Sequence, residues 1–340
     1  MSEDVHERHN GTETVETYGL PFPPRFNPHH ERVLPIHLQW MRSRGLVTHE
    51  TLDYYRDSAY PGLVAHVFPY ASPGTMEVLS QFMGWIAFYD DQFDGPAGRD
   101  RHRAAALIQG CLQVMECHPA HAPVTRPLDR AFTEIWAGMV ADRSARWQER
   151  FKEHWRAYLS AYVHEASIRG QGLVQSLEEY DQHRTTAGAI LLSFDLIEVA
   201  GGYELPPALY ETPQLTRMRS DAGYVICLAN DLASLARESD LEEVVDNRVL
   251  LLEHHHGTTR GQAVTEVEEL IRTYVNSFTA ETLRLRENPA YATATPTARH
   301  DTEQFIHGMG DWMRGNFDWQ ARTARYHGRW QVLEPGRESV

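Results

Sequence analysis

VLSQFMGWIAFYDDQFDGP, residues 78–96, decides the fold. Leu79, Met83, Ile86, Asp90 and Asp94 follow one another at steps of four, three, four and four, which places them on one stripe of a helix. The stripe begins apolar and ends in carboxylates, with Asp91 beside them and Gly95-Pro96 stopping the helix. The acids stand at the C-terminal end, where the helix macrodipole disfavours negative charge, so a solvated terminus accounts for them poorly. Ionised carboxylates that continue a core-facing stripe need cations, and hard oxygen ligands of this kind suit magnesium. The stretch reads as the mouth of an apolar cavity framed by helices.

Outward from it, apolar residues recur at three- and four-residue spacings from about residue 35 onward, while period-two alternation is nearly absent. An all-α fold follows, with about ten helices. Breaks are expected where Pro and Gly cluster, at 70–75, 94–100, 118–127, 200–207 and 287–297. No internal repeat or linker divides the chain, so residues 20–330 read as one domain between a disordered N-terminal tail, 1–19, and a C-terminal tail, 331–340.

The charge balance narrows the partners. With 32 basic and 47 acidic residues in 340, the net charge is -15, which leaves no electrostatic footprint for nucleic acid or anionic lipid headgroups. An anionic small molecule remains an acceptable substrate, provided that acidic residues bring metal ions to offset the repulsion. Three scattered cysteines, Cys111, Cys117 and Cys227, make no disulfide framework, and no signal peptide or long uncharged apolar run is present. A cytoplasmic protein without stable membrane insertion is expected.

A second constellation lies in AGYVICLANDLASLARESD, residues 222–240. Asn230, Ser234 and Glu238 are spaced four apart, so an amide oxygen, a hydroxyl and a carboxylate line up along one helix face and together can chelate one hard divalent cation. An ordinary polar helix face is the competing reading of this pattern alone. Near the C-terminus, Phe305, Met309, Trp312, Asn316, Trp319, Thr323 and Tyr326 form an aromatic stripe on the last helix. The run His254-His255-His256 before Gly257 reads as a solvated helix end, and Gly308-Met309-Gly310 lacks the strand and third glycine of a nucleotide loop.

Taken together, these motifs resemble those of bacterial class I terpene synthases, and of sesquiterpene synthases in particular. Residues 90–94, DDQFD, are similar to the family's aspartate-rich motif, and residues 230–238, NDLASLARE, to its NSE motif. Arg184 stands 46 residues before Asn230, at the place of the family's diphosphate-sensing arginine, and Arg325-Tyr326 resemble its C-terminal Arg-Tyr pair. The resemblance implies a helical bundle around a central apolar cavity. It also implies magnesium-dependent ionisation of a prenyl diphosphate, first of all farnesyl diphosphate, and cyclisation of the carbocation to a sesquiterpene.

By the same resemblance, three Mg2+ ions, for which Mn2+ can substitute, would be held by Asp90, with Asp91 beside it, and by Asn230, Ser234 and Glu238. Arg184, Arg237, Arg325 and Tyr326 would contact the diphosphate, with Asp94 acting nearby by hydrogen bonding. Gly188, in a kinked helix after Arg184, would turn its carbonyl to the substrate. Trp312, Met83 and Ile86 are expected against the prenyl chain, plain core packing being the alternative for each. The family is often dimeric, so a homodimer is expected. Geranyl or geranylgeranyl diphosphate as substrate, or an acyclic alcohol as product, fits the same motifs. A chain-elongating enzyme would carry a second aspartate-rich motif, a phosphohydrolase would release prenyl alcohol only, and a catalytically silent helical binding protein would have lost a ligand or the sensor, none of which is missing here.

Overall fold

The structure, a computed structural model, describes residues 18–116, 126–239 and 247–327. Outside these lie Cys117, most of the break expected at 118–127, the C-terminal tail, and all of the N-terminal tail except Tyr18 and Gly19. Tyr18 belongs to the folded body: it is buried and meets Phe317 edge-on, with ring centroids 5.1 Å apart.

Among the described residues there is no strand, and thirteen helices of seven residues or more account for most of the chain. They are α1 (His30–Ser43), α2 (Leu52–Ser58), α3 (Tyr60–Val67), α4 (Pro73–Asp90), α5 (Arg101–Glu116), α6 (Pro127–Val140), α7 (Ala145–Gly170), α8 (Leu177–Ala187), α9 (Ile190–Gly201), α10 (Pro213–Ser239), α11 (Arg248–His256), α12 (Arg260–Glu287) and α13 (Pro296–Gln320). Single helical turns occupy Pro207–Tyr210, Pro289–Ala292 and Ala324–His327. The starts are written locally. Ser72, Ser144, Ser176, Thr259 and Thr295 each accept a backbone N–H of the following first turn, and Ser176 with Glu179 and Thr259 with Gln262 complete capping boxes. Each such cap contributes about 1 kcal/mol.

A stacked aromatic wall sets the position of α4. Trp85 lies 4.8 Å from Phe132 of α6, and Phe132 lies 4.9 Å from Trp155 of α7. Aromatic pairs of this kind add about 0.5–1.5 kcal/mol beyond their buried area. Trp85 Nε1 also donates to the Leu128 carbonyl at 2.8 Å, which fixes the rotation of α4 and therefore the direction of its last residue, Asp90. On the opposite side the extended lead-in is tied down by Arg25 to Asp311 at 2.8 Å and by Asn27 Nδ2 to the carbonyls of Phe68 and Ala71. It runs so close to α13 that a Cβ on Gly310 would stand 2.8 Å from the Phe22 ring, which accounts for that glycine as a packing site.

Three expectations about helix extent are corrected. The α4 stripe ends at Asp90: Asp91–Phe93 form a 3-10 turn and Asp94 caps it, so Asp94 is delivered by a tightened turn rather than by the α-helical stripe. The last long helix ends at Gln320, and Thr323 and Tyr326 lie beyond it, Tyr326 on a separate turn. The break is held by Thr323, whose hydroxyl donates to the Ser58 carbonyl and accepts from the Arg325 N–H. Finally, α1 begins at His30 and carries Pro35 in its interior.

His37 of α1 is wholly buried, bonded to the Tyr55 hydroxyl at 2.6 Å, and burial pushes its imidazole down to about 3. The neighbouring α4 offers it Gly84, where a Cβ would stand 2.2 Å from Tyr55 Oη and 2.9 Å from His37 Cε1. Because the unfolded imidazole titrates near 6.5, the unfolded chain takes up a proton below that pH and the folded chain does not, so this histidine's contribution is lost as pH falls from about 6.5 towards 3. Replacing His37 with Gln should flatten the fall in unfolding free energy between pH 6.5 and 5 by up to about 1.4 kcal/mol per pH unit. Urea melts at several pH values check this, and equal slopes for both proteins contradict it.

Candidate active site

One cleft of about 370 Å³ gathers residues from α3, α4, α7, α8, α10, α13 and the last turn. Asp90, Asp94, Arg184, Gly188, Asn230, Ser234, Arg237, Glu238, Arg325 and Tyr326 all line it. Residues far apart in the chain, singled out by helical spacing or by the family resemblance, therefore meet in one place. The apolar part of the lining comes from Ile86, Ala87, Phe93, Tyr158, Tyr162, Ala187, Ala189, Tyr60 and Trp319.

Three expected residues lie elsewhere. Met83 is buried in the core, and Trp312 packs edge-on against Phe68 at 5.5 Å; neither lines the cleft. Trp319, one heptad beyond Trp312, takes the cleft position instead, its ring held by donation from Nε1 to the carbonyls of Ser58 and Ala59. Asp91 is buried behind Asp90, and its Oδ1 accepts both Nη1 and Nη2 of Arg325 at 3.3 Å.

On the α4 side, Arg325 bridges the acids. It reaches Asp90 Oδ2 at 3.3 Å as well as Asp91, and donates from Nη1 to the Tyr60 hydroxyl at 3.0 Å. The other oxygen of Asp90 accepts from the Tyr162 hydroxyl at 2.9 Å. At Asp94, burial, and after it the charges of Asp90 and Asp91, outweigh those of Arg237 and Arg325 and raise its carboxyl to about 6.

On the α10 side, Asn230 is held at both ends, its Oδ1 accepting from Arg184 Nη2 at 3.0 Å and its Nδ2 donating to the Tyr326 hydroxyl at 2.8 Å. Ser234 is bonded back to the Asn230 carbonyl. Glu238 Oε2 accepts from Asn247 at 2.7 Å, and burial, then the charge of Asp231, raise its carboxyl to about 7. Behind this line, the buried Asp231 accepts from Arg184 Nε and Nη2, from the Tyr180 hydroxyl and from the Arg248 N–H.

The break after Arg184 is present. Gly188 caps α8, and Ala189 takes φ +56°, a left-handed conformation that costs a non-glycine residue about 1–2 kcal/mol. The chain can bend there because Gly188 packs against α10: a Cβ on it would lie 2.9 Å from Cys227 Sγ and 3.2 Å from the Arg184 carbonyl oxygen.

The donors suit a hard divalent cation. Carboxylate, amide and hydroxyl oxygens converge on the cleft, and two of the carboxylates are raised by burial and like charge, a condition that a cation at that place removes. Among the described residues no three His, Cys, Asp or Glu side chains form a closed cage. Ions held here would draw on Asn230, Ser234 and the substrate's own oxygens.

Several members of the site were not singled out from the sequence. Asp231 lies inside the quoted motif, and Tyr180 precedes Arg184 by one helical turn, so a search for partners of a buried arginine reaches both. Tyr158 and Tyr162 carry a similar four-residue spacing on α7, but nothing in the sequence ties that helix to Asp90.

Comparison with known proteins gives the family. Residues 81–277 match the family model described as terpene synthase family 2, C-terminal metal binding, and the chain belongs to the terpene synthase family. It is 32% identical to pristinol synthase of Streptomyces pristinaespiralis over 90% of this chain and 83% of that one. It is 28% identical to the (-)-beta-caryophyllene synthase, (2E,6E)-farnesyl diphosphate cyclizing, of Saccharothrix espanaensis, over 91% of this chain and 88% of that one. The crystal structure of germacradien-4-ol synthase from Streptomyces citricolor superposes with a TM-score of 0.79 at 25% identity, covering 89% of this chain and 97% of the other.

Gly188→Ala is expected to push α8 from α10 and lower kcat/KM by about 10-fold or more, equivalent to about 1.4 kcal/mol of transition-state stabilisation. Adding Cys227→Ala removes the nearest clash and should restore part of the loss. Steady-state rates of the single and double variants check the contact, and strictly additive losses contradict it.

Proposed function

We propose that the protein is a magnesium-dependent class I terpene synthase that ionises farnesyl diphosphate and cyclises the resulting carbocation to a sesquiterpene. The observation that carries this reading is the meeting of Asp90, Asp94, Asn230, Ser234 and Glu238 with Arg184, Arg237, Arg325 and Tyr326 around one aromatic-walled cleft. The farnesyl chain length draws support from the caryophyllene synthase, whose name states that substrate.

Asp90 on one side and Asn230, Ser234 and Glu238 on the other would hold the metal ions, with Asp91 holding Arg325 rather than an ion. Magnesium ions, when bound, neutralise the diphosphate and stabilise it as a leaving group. The chain's own contribution begins with orientation. Arg184, Arg237, Arg325 and the Tyr326 hydroxyl offer charge-assisted donors to the diphosphate oxygens. The allylic carbon–oxygen bond breaks with its electron pair going to the diphosphate, and Gly188 at the kink can present a carbonyl dipole to the carbon that becomes positive. Phe93, Trp319 and the tyrosine rings line the same cleft, where they keep water from the cation and stabilise it by cation–π attraction. A double bond of the prenyl chain then closes the ring, and loss of a proton or capture of water ends the sequence.

No helix among the described residues is long and apolar enough to cross a membrane. The buried free thiols of Cys111 and Cys227 fit the reducing cytoplasm as the setting.

Incubation with geranyl, farnesyl and geranylgeranyl diphosphates, with and without magnesium, followed by gas chromatography and mass detection, tests the reading. Magnesium-dependent cyclic product from farnesyl diphosphate is expected. Asp90→Ala and Asn230→Ala should each lower turnover by more than about 100-fold with an unchanged circular dichroism spectrum. Wild-type rates in either variant, or acyclic alcohol alone from every substrate, overturn it.

A further inference from the structure

Asp90 is held by two groups of different kind. Arg325 contacts Oδ2 at 3.3 Å, a long contact from a residue that also serves Asp91 and Tyr60. Tyr162 contacts Oδ1 at 2.9 Å from α7, the helix opposite. When diphosphate arrives, Arg325 is required on the anion, so its hold on Asp90 must loosen at the moment when Asp90 has to point at a cation. The Tyr162 bond involves no group that the diphosphate needs and can persist.

The tyrosine is well fixed. Its ring stacks on Phe93, with centroids 3.9 Å apart and planes 13° from parallel, so the 3-10 turn that follows Asp90 is clamped to the same side chain that bonds Asp90. Its hydroxyl also meets the hydroxyl of Tyr158, one helical turn earlier and likewise lining the cleft. A phenol has one proton; since Tyr162 gives its own to the carboxylate, Tyr158 must be the donor of the pair. The chain Tyr158 to Tyr162 to Asp90 therefore has one direction, and each bond polarises the next.

We infer that Tyr162 is a positioning residue of this enzyme: its hydroxyl, oriented by Tyr158, fixes the angle of the Asp90 carboxylate for metal binding while Arg325 is released to the diphosphate. The inference rests on the metal-binding reading proposed above. It differs from the roles of the aspartate-rich segment in that the determinant lies on α7, outside every motif of the sequence.

The test is direct titration of Mn2+ into the full-length protein in the presence of inorganic diphosphate, by calorimetry, with melting temperature as the check on folding. Tyr162→Phe keeps the ring and its stacking on Phe93 and removes only the hydroxyl. It is expected to raise the Mn2+ Kd by about 10- to 100-fold, the usual cost of losing a group that orients a ligand. An unchanged Kd in the folded variant overturns the inference. Tyr158→Phe leaves the Tyr162 hydroxyl in place and should weaken Mn2+ less; a loss equal to or larger than that of Tyr162→Phe assigns the role to Tyr158 and overturns it as well. Should Tyr162→Phe not fold, Tyr158→Phe carries the test alone: a weakened Mn2+ Kd at unchanged melting temperature supports the inference, and an unchanged Kd overturns it. Failure of the wild-type protein to take up Mn2+ with diphosphate removes the metal reading itself, an outcome distinct from the others.

Discussion

The carboxylate of Asp231 is the interaction on which the cleft depends. It is buried, one residue beyond Asn230, and four donors from two elements close on it: two from Arg184 of α8, one from Tyr180 of the same helix and one from the backbone at the start of α11. Asn247, just before α11, donates to the Asp231 carbonyl as well as to Glu238. A buried charge with every lone pair occupied can be tolerated, whereas removal of one partner of such a pair typically costs about 3–5 kcal/mol. The ion pair thus does more than hold helices together. It sets the side-chain angle of the arginine proposed to face the diphosphate and, through Asn247, the angle of a carboxylate proposed for the metal.

The same economy of groups recurs across the cleft. Arg184 touches Asn230, and Arg325 touches Asp90, so two of the arginines proposed for the anionic substrate rest against oxygens proposed for metal ions. In a chain of net charge -15, Arg184 and Arg325 are thus proposed to serve two partners in turn. Arg237 adds to this balance, its charge drawing down the carboxyls of both Asp94 and Glu238 against the burial that raises them.

Much of this was legible in the sequence because helical spacing is a strong code. Asp90, Asn230, Ser234 and Glu238 could be placed on two faces from their intervals, and the breaks at Gly95-Pro96 and Gly201-Gly202 carry residues that disfavour continuing a helix. What escaped was decided by tertiary geometry. Nothing local marks Gln320 as the end of α13; Thr323 ends it by bonding to Ser58, a residue some 260 positions away. A continuous stripe therefore overstated the reach of that helix and placed Trp312 where Trp319 stands. Asp94 shifted for a related reason, since a 3-10 turn advances each residue farther around the axis than an α-helix does. The α7 tyrosines had no local signal at all, because their role is defined by a partner on α4.

The pairing of cleft acids with cleft arginines also separates assembly from activation. In small metal-dependent domains the ligands repel one another until the ion arrives, so that binding energy is folding energy and a chelator unfolds the chain. Here the protein supplies partners of its own, Arg325 to Asp90 and Arg184 to Asn230, which leaves an ion less to contribute to folding. On the function proposed above, loss of metal is then expected to halt the chemistry and leave the fold in place.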